Sequence, residues 1–309
     1  MNYSERKGIP IEDFDSSEYL VQKPCLVTFI SLVFPRGYRG DRHIDRHRKT
    51  LQEIKDKSSS LFQERVDIDI FFIEKYIREI SESGSKGVIQ PVFELLRNYT
   101  HADVDAYIQG LETEGHKYGS FVFVITSYLP KYSLPTDLAF ELYDVDMSLD
   151  YFINKMKSFE SMALKPKIFL VQADNLDMPI CEMHSGAGGA APKTIVKKFP
   201  TDADCLIIFS TIHQRISTLP LDIFTIYPIP QSDQNTNASL VMQALIEILK
   251  LNPDKDLLLL TSSILGRVEE MIKEFKATHS SYQNIRFELP LFHTSLTKKV
   301  FLNKLVQQQ

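Results

Sequence analysis

Cysteine is scarce in this chain, with three among 309 residues. Cys25 and Cys205 sit inside apolar runs that read as strands. That excludes a disulfide framework as the device holding the fold and points to a reducing compartment, with a cytoplasmic location as the expectation. An excess of basic charge is missing too. The formal net charge is −5, whereas nucleic acid phosphates and anionic bilayers select a net positive face; neither nucleic acid nor a membrane is an expected partner. Nor is there a long hydrophobic run near the start. "CLVTFISLVF" at residues 25–34 has half the length that a bilayer crossing requires, and "MNYSERKGIP" ahead of it is polar, so neither signal peptide nor membrane span is expected. No internal repeat is visible.

Against those absences stands a hydrophobic content of 43%, enough for a sizeable core in one large domain or two modest ones. "CLVTFISLVF", "SFVFVITSY", "PKIFLVQA" and "DCLIIFST" are almost continuously apolar. Strands apolar on both faces belong in the middle of a mostly parallel sheet covered by helices. Between them, "IDRHRKTLQEIKDK", "ADVDAYIQGLETE" and "LDYFINKMKSFESM" have amphipathic helical spacing, and two long helices are expected near 237–251 and 257–277. The alternation predicts an α/β fold. Residues 1–24 carry no apolar periodicity and read as a flexible leader, with the core starting at Cys25. Residues 58–90 lengthen the first crossover and read as a partly helical insertion. The Gly- and Ala-rich stretch 178–199 reads as a linker between a part over 25–177 and a part over 200–309, in one continuous domain.

Ligands and catalytic groups gather at the carboxyl ends of parallel strands. Two strands end in Ser127-Tyr128-Leu129 and Gln172-Ala173-Asp174, with Asp174 46 positions after Tyr128. This order and spacing resemble the caspase family of cysteine proteases, where one strand ends in Ser-His-Gly and a later one in Gln-Ala-Cys-Arg-Gly. "KPKIFLVQA" is similar to that family's strand before the nucleophile, "FPTDADCLIIFST" to the first strand of its small subunit, and "RFELPLFHTSLTKKVFL" to its final strand and tail. The resemblance implies a three-layer sandwich with a six-stranded, mostly parallel sheet and helices on both faces. It also makes 25–177 large-subunit-like and 200–309 small-subunit-like.

Carried over residue by residue, the resemblance puts Asp174 at the nucleophile position, Tyr128 at the general base and Leu129 at the glycine after it. A thiolate attacks in cysteine proteases, activated by an imidazole titrating near neutrality. Tyrosine, with an ordinary pKa of about 10, is a poor base, and a carboxylate repels the oxyanion that must form. The expectation is a pseudoprotease with no catalytic residues. Of the acid-binding pocket, Gln172 and Ser217 match, Arg39 and Arg42 are equal candidates for one arginine, and Leu219 stands where the second would be. The linker contains no Asp, so the chain is expected to stay in one piece. The final strand, Pro290, Leu291, Phe292, His293, Thr294, Ser295 and Leu296, corresponds to the family's dimer strand. The implied role is a catalytically inactive regulator of apoptosis that binds active caspases and inhibits them, with activation by heterodimerisation and a homodimer as the alternatives.

Other signals keep simpler readings beside the chemical ones. Cys181, Ser127 or Cys205 with His184 or His213 would make a residual hydrolase, Cys181 and His184 being the closest pair. His43 and His47, with Asp41 and Asp45, have a spacing that puts two ligands on one helical face, but without further ligands they read as a solvated helix start. No metal or cofactor is expected. "SGAGGA" lacks the Lys-Ser/Thr of a phosphate loop. Asp15 in "EDFDSS" is either a cut point for the leader or part of an acidic solvated tail.

Overall fold

The computed structural model describes residues 17–19, 22–32, 68–82, 90–131, 133, 137–175, 204–212, 238–278, 283 and 287–306. The expected helix in 44–57, the linker over 178–199, and Asp15, Arg39, Arg42, Asp41, His43, Asp45, His47, Cys181, His184, His213, Ser217 and Leu219 lie outside them.

The central strands form where the apolar runs lie. Strand β1 (Cys25–Ser31) is buried at every residue. Helix α1 (Ile68–Glu82) then crosses over to β2 (Val92–Arg97), which pairs with β1 in parallel. Helix α2 (His101–Glu114) starts at Thr100, whose side chain accepts from the Asp103 amide while the Asp103 carboxylate accepts from the Thr100 amide at 2.9 Å. This capping box satisfies two amides that the helix itself leaves unpaired. Then come β3 (Ser120–Tyr128), a hairpin of β4 (Ala139–Glu141) and β5 (Asp146–Ser148), helix α3 (Leu149–Lys157), β6 (Lys167–Asp174) and β7 (Cys205–Ser210). Helices α4 (Leu240–Leu251) and α5 (Leu257–Thr278), strand β8 (Leu291–Thr294) and the short α6 (Leu302–Val306) complete the described chain.

The main sheet has six strands in the order β2-β1-β3-β6-β7-β8, all parallel except for β8, which runs antiparallel to β7. Successive side chains of β1 go to opposite faces: Cys25, Val27 and Phe29 pack with α1, α4 and α5, while Leu26 and Ile30 pack with α2 and α3. Both faces are therefore covered, and the α/β class with helices on both sides of a mostly parallel six-stranded sheet is as expected. On the second face Phe123 stacks on Phe169 at 4.9 Å, and Phe152 meets their edges at 5.4 and 5.9 Å.

Helix α1 lies within the stretch 58–90 expected to be partly helical, and its Ile70, Ile73, Tyr76 and Ile77 are buried against the sheet, where two parallel strands need a covering crossover. The core does not begin at Cys25, since Tyr19 of the expected flexible leader is buried in it. Strand β2 escapes the sequence reading because it is an edge strand with mixed burial, Val92 and Leu95 being exposed, and so lacks the continuous apolar run of its neighbours.

Burial pushes the thiols of Cys25 and Cys205 up to about 12, with Lys167 opposing the rise at Cys205, against about 8.5 in an unfolded chain. A raised acid stabilises the fold fully below the unfolded value, and that contribution is lost as pH rises from about 8.5 toward 12. The double variant Cys25→Ala/Cys205→Ala is expected to lose stability less steeply across this window than the parent, measured by urea unfolding at stepped pH. Phe169→Ala is expected to cost about 3–5 kcal/mol in the same measurement at pH 7, as truncation of a buried ring does.

Candidate functional site

The site is assembled where β3 and β6, neighbours at the centre of the sheet, end together. Their register pairs Thr126 with Gln172 and Tyr128 with Asp174. The chain is tied beyond the strands as well: Leu129 N donates to Asp174 O at 3.0 Å and Asn175 N to Thr211 O at 3.0 Å. The two positions that the sequence marks are thus brought side by side. Tyr128 is partly exposed, and Asp174 is buried at 7% exposure.

Gln172 decides the electrostatics of this corner. It is 2% exposed, and its amide nitrogen donates to Asp174 Oδ1 and to Ile212 O, both at 2.6 Å. Two acceptors around one nitrogen fix which way the amide faces, since the flipped form would set oxygen against oxygen. Both amide hydrogens are therefore committed inside the chain. The amide oxygen is buried without a hydrogen-bond partner. Among these groups Gln172 supplies the donors, and a carboxylate takes one of them.

A polar row that the sequence reading missed runs across the sheet at the last residues of β1, β2 and β7 and two residues before the ends of β3 and β6. In register it comprises Arg97, Ser31, Thr126, Gln172 and Ser210. Cα partners in a parallel ladder share a face, so these side chains line the α1–α4 side together with Tyr128 and Asp174. Ser210 Oγ accepts from Ile212 N at 3.4 Å, and Thr126 Oγ1 is buried with no partner. A signal was available: "FIS", "VIT" and "IFS" each end an apolar run on a hydroxyl residue.

Other candidates are placed elsewhere. Ser127 faces the opposite layer, and its hydroxyl proton is given to Glu141 O at 2.6 Å. Cys205 pairs with Lys167 at the amino end of β6, about 23 Å along the strand from Asp174 at about 3.3 Å per residue. The final-strand residues lie on β8 at the sheet's edge: Leu291 and Thr294 are exposed, Phe292 and His293 half-buried and Pro290 buried. Ser295 receives the Cys205 amide on its hydroxyl at 3.1 Å, and Leu296 N donates to Thr294 Oγ1 at 3.1 Å. Partial burial lowers the His293 pKa, with Asp150 opposing. Among the described residues no group of His, Cys, Asp and Glu is spaced to hold a metal, and no helix is long and apolar enough to cross a membrane.

Replacing Gln172 by Leu takes both donors from Asp174 Oδ1 and Ile212 O; a loss of about 1–3 kcal/mol of stability is expected, as for buried acceptors deprived of a donor, measured by guanidinium unfolding. In the native chain neither Cys25 nor Cys205 is expected to react with a thiol reagent at pH 8, while both react in denaturant, as peptide mass analysis would show.

Comparison with known proteins agrees with this geometry. Residues 90–301 match the Caspase domain family. Among solved structures, that of pro-sf-caspase-1 superposes with a TM-score of 0.56 at 16% identity, covering 93% of this chain and 98% of that one. Caspase-1 from Spodoptera frugiperda gives 0.55 at 16% identity, covering 93% and 94%. At such identities the likeness concerns the fold alone. No curated protein sequence matches.

Proposed function

We propose, from the premise that the chain belongs to the caspase-domain family, that it is a non-catalytic member which regulates apoptosis by binding active caspases and inhibiting them. The observation that carries this reading is the Asp174 carboxylate, held by Gln172 at the end of β6 and in register with Tyr128. An acyl-transfer site needs a nucleophile that a neighbouring base can activate and donors where negative charge develops. A carboxylate in that place brings charge of the wrong sign, and a phenol takes up a proton poorly at neutral pH. The donors of Gln172 are also spent on the chain itself, which argues against trapping a substrate's acidic side chain.

A fold kept without its chemistry acts through its surface. The outer edge of β8 is the natural contact. This strand ends the order of the sheet and, among the described residues, pairs only with β7. Exposed Leu289 and Leu291 lie along it. An edge of this kind accepts a further strand through its main-chain groups, from an active caspase or from a second copy of the chain.

The test is to titrate the purified chain into active initiator and effector caspases while following hydrolysis of an Asp-ending fluorogenic peptide, with the chain alone as control. Dose-dependent slowing is expected, with no turnover by the chain itself. Acceleration would reverse the sign of the proposed effect; a flat response would remove the regulatory reading. Turnover by the chain alone, lost on Cys181→Ala, would instead favour the residual cysteine hydrolase. In Asp174→Cys a thiol is restored without an imidazole beside it, and no peptide hydrolysis above the parent is expected in the same assay.

A further inference from the structure

One contact of the amino-terminal segment belongs neither to the sheet nor to the strand-end site. The Tyr19 phenol donates to Asp204 Oδ1 at 2.6 Å. The same carboxylate oxygen accepts from Thr297 Oγ1 at 2.7 Å, and the Thr297 amide donates to the Tyr19 oxygen at 3.1 Å. Asp204 is buried, with φ of 46°, and its carbonyl receives the Lys167 amide at 2.9 Å. The one phenolic group thus joins the leader to the start of β7, through its proton, and to the tail, through its oxygen.

Beyond this contact and the packing of the Tyr19 ring at the margin of the core, the attachment is slight. Tyr19 N donates to Lys299 O at 3.4 Å, and Lys299 N to Ser17 O at 3.0 Å. The ion pair of Glu18 with Lys304, 2.6 Å long, is on the surface, where such pairs contribute about 0–1 kcal/mol. A strap held this way opens locally at far lower cost than the sheet unfolds, so the Tyr19 ring is reachable in an otherwise folded chain. Closure, in contrast, depends on the phenol having a proton to give. A phosphate in its place would set a near-dianion against the buried Asp204 carboxylate, and like charges at hydrogen-bonding range exclude reclosure.

We propose that Tyr19 is a phosphorylation site and that residues 17–19 form a latch which the modification opens. A tyrosine-directed kinase transfers the γ-phosphoryl group of a nucleoside triphosphate to Tyr19 Oη. The bond from phosphorus to the departing diphosphate breaks, the new bond to the phenolic oxygen forms, and the phenolic proton passes to the kinase's base. Glu12, Asp13, Asp15 and Glu18 give the acceptor an acidic setting.

The full chain would be treated with ATP and a purified tyrosine kinase of broad specificity, phosphate positions read by mass spectrometry, and amide exchange followed at Tyr19 and Lys299, the two strap donors. Phosphate on Tyr19 is expected, with exchange at those amides faster by about tenfold or more and the β3 and β6 amides unchanged. Unmodified Tyr19→Phe, which keeps the ring and loses the donor, is expected to exchange only a few-fold faster (about 2–5-fold). Absence of phosphate from Tyr19, phosphate there with unchanged exchange, or acceleration spread equally over β3 and β6 would each overturn the latch.

Discussion

The register between β3 and β6 is the constraint on which the rest of the structure depends. In most sheets a one-residue slip is penalised because it turns the apolar set toward water. Here both faces are covered, and Phe123 or Phe169 would find a core on either side. The polar residues break that symmetry. Lys167 at the start of β6 sends its ammonium to the carbonyls of Met162 and Lys165, and Gln172 near its end needs Ile212 O and Asp174. Any slip would carry these groups into the hydrocarbon of the opposite layer, where an unmade hydrogen bond costs about 1–3 kcal/mol. The same register sets Tyr128 beside Asp174.

Consequences for function run outward from that row. At this strand end the amide donors of Gln172 are turned inward, to Asp174 and Ile212 O. The two surfaces on which the proposals rest lie at the margins: the β8 edge on one side and the strap of residues 17–19 across the amino end. The reading as a regulatory, non-catalytic member of the caspase-domain family places function at those margins, and the centre supplies the rigidity behind them.

Much of this was legible in the sequence, for identifiable reasons. Central strands announce themselves because burial on both faces demands unbroken apolar runs, as in "SFVFVITSY". The pair Tyr128 and Asp174 was legible because parallel strands end at one level. Edge strand β2 was not, since Val92 and Leu95 meet water and break its apolar run, and crossover length alone does not distinguish a covering helix such as α1 from an insertion. Tyr19 was missed for a different reason: a single aromatic residue in polar surroundings has no period, and its partners Asp204 and Thr297 are 185 and 278 residues away. The hold of Gln172 on Asp174 likewise depends on side-chain direction, which residue spacing does not encode.

The antiparallel pairing of β8 with β7 bears on how the molecule comes into being. Leu206 and Thr294 are partners, so 87 residues intervene between the two halves of that pair. At translation speeds of about 5–20 residues per second, the flank of β7 stays uncovered for on the order of ten seconds on the ribosome. During that interval the nascent chain presents a hydrophobic strand with an open row of amides and carbonyls, and a chaperone, or another chain's strand, has its opportunity to bind before the molecule's own last strand arrives.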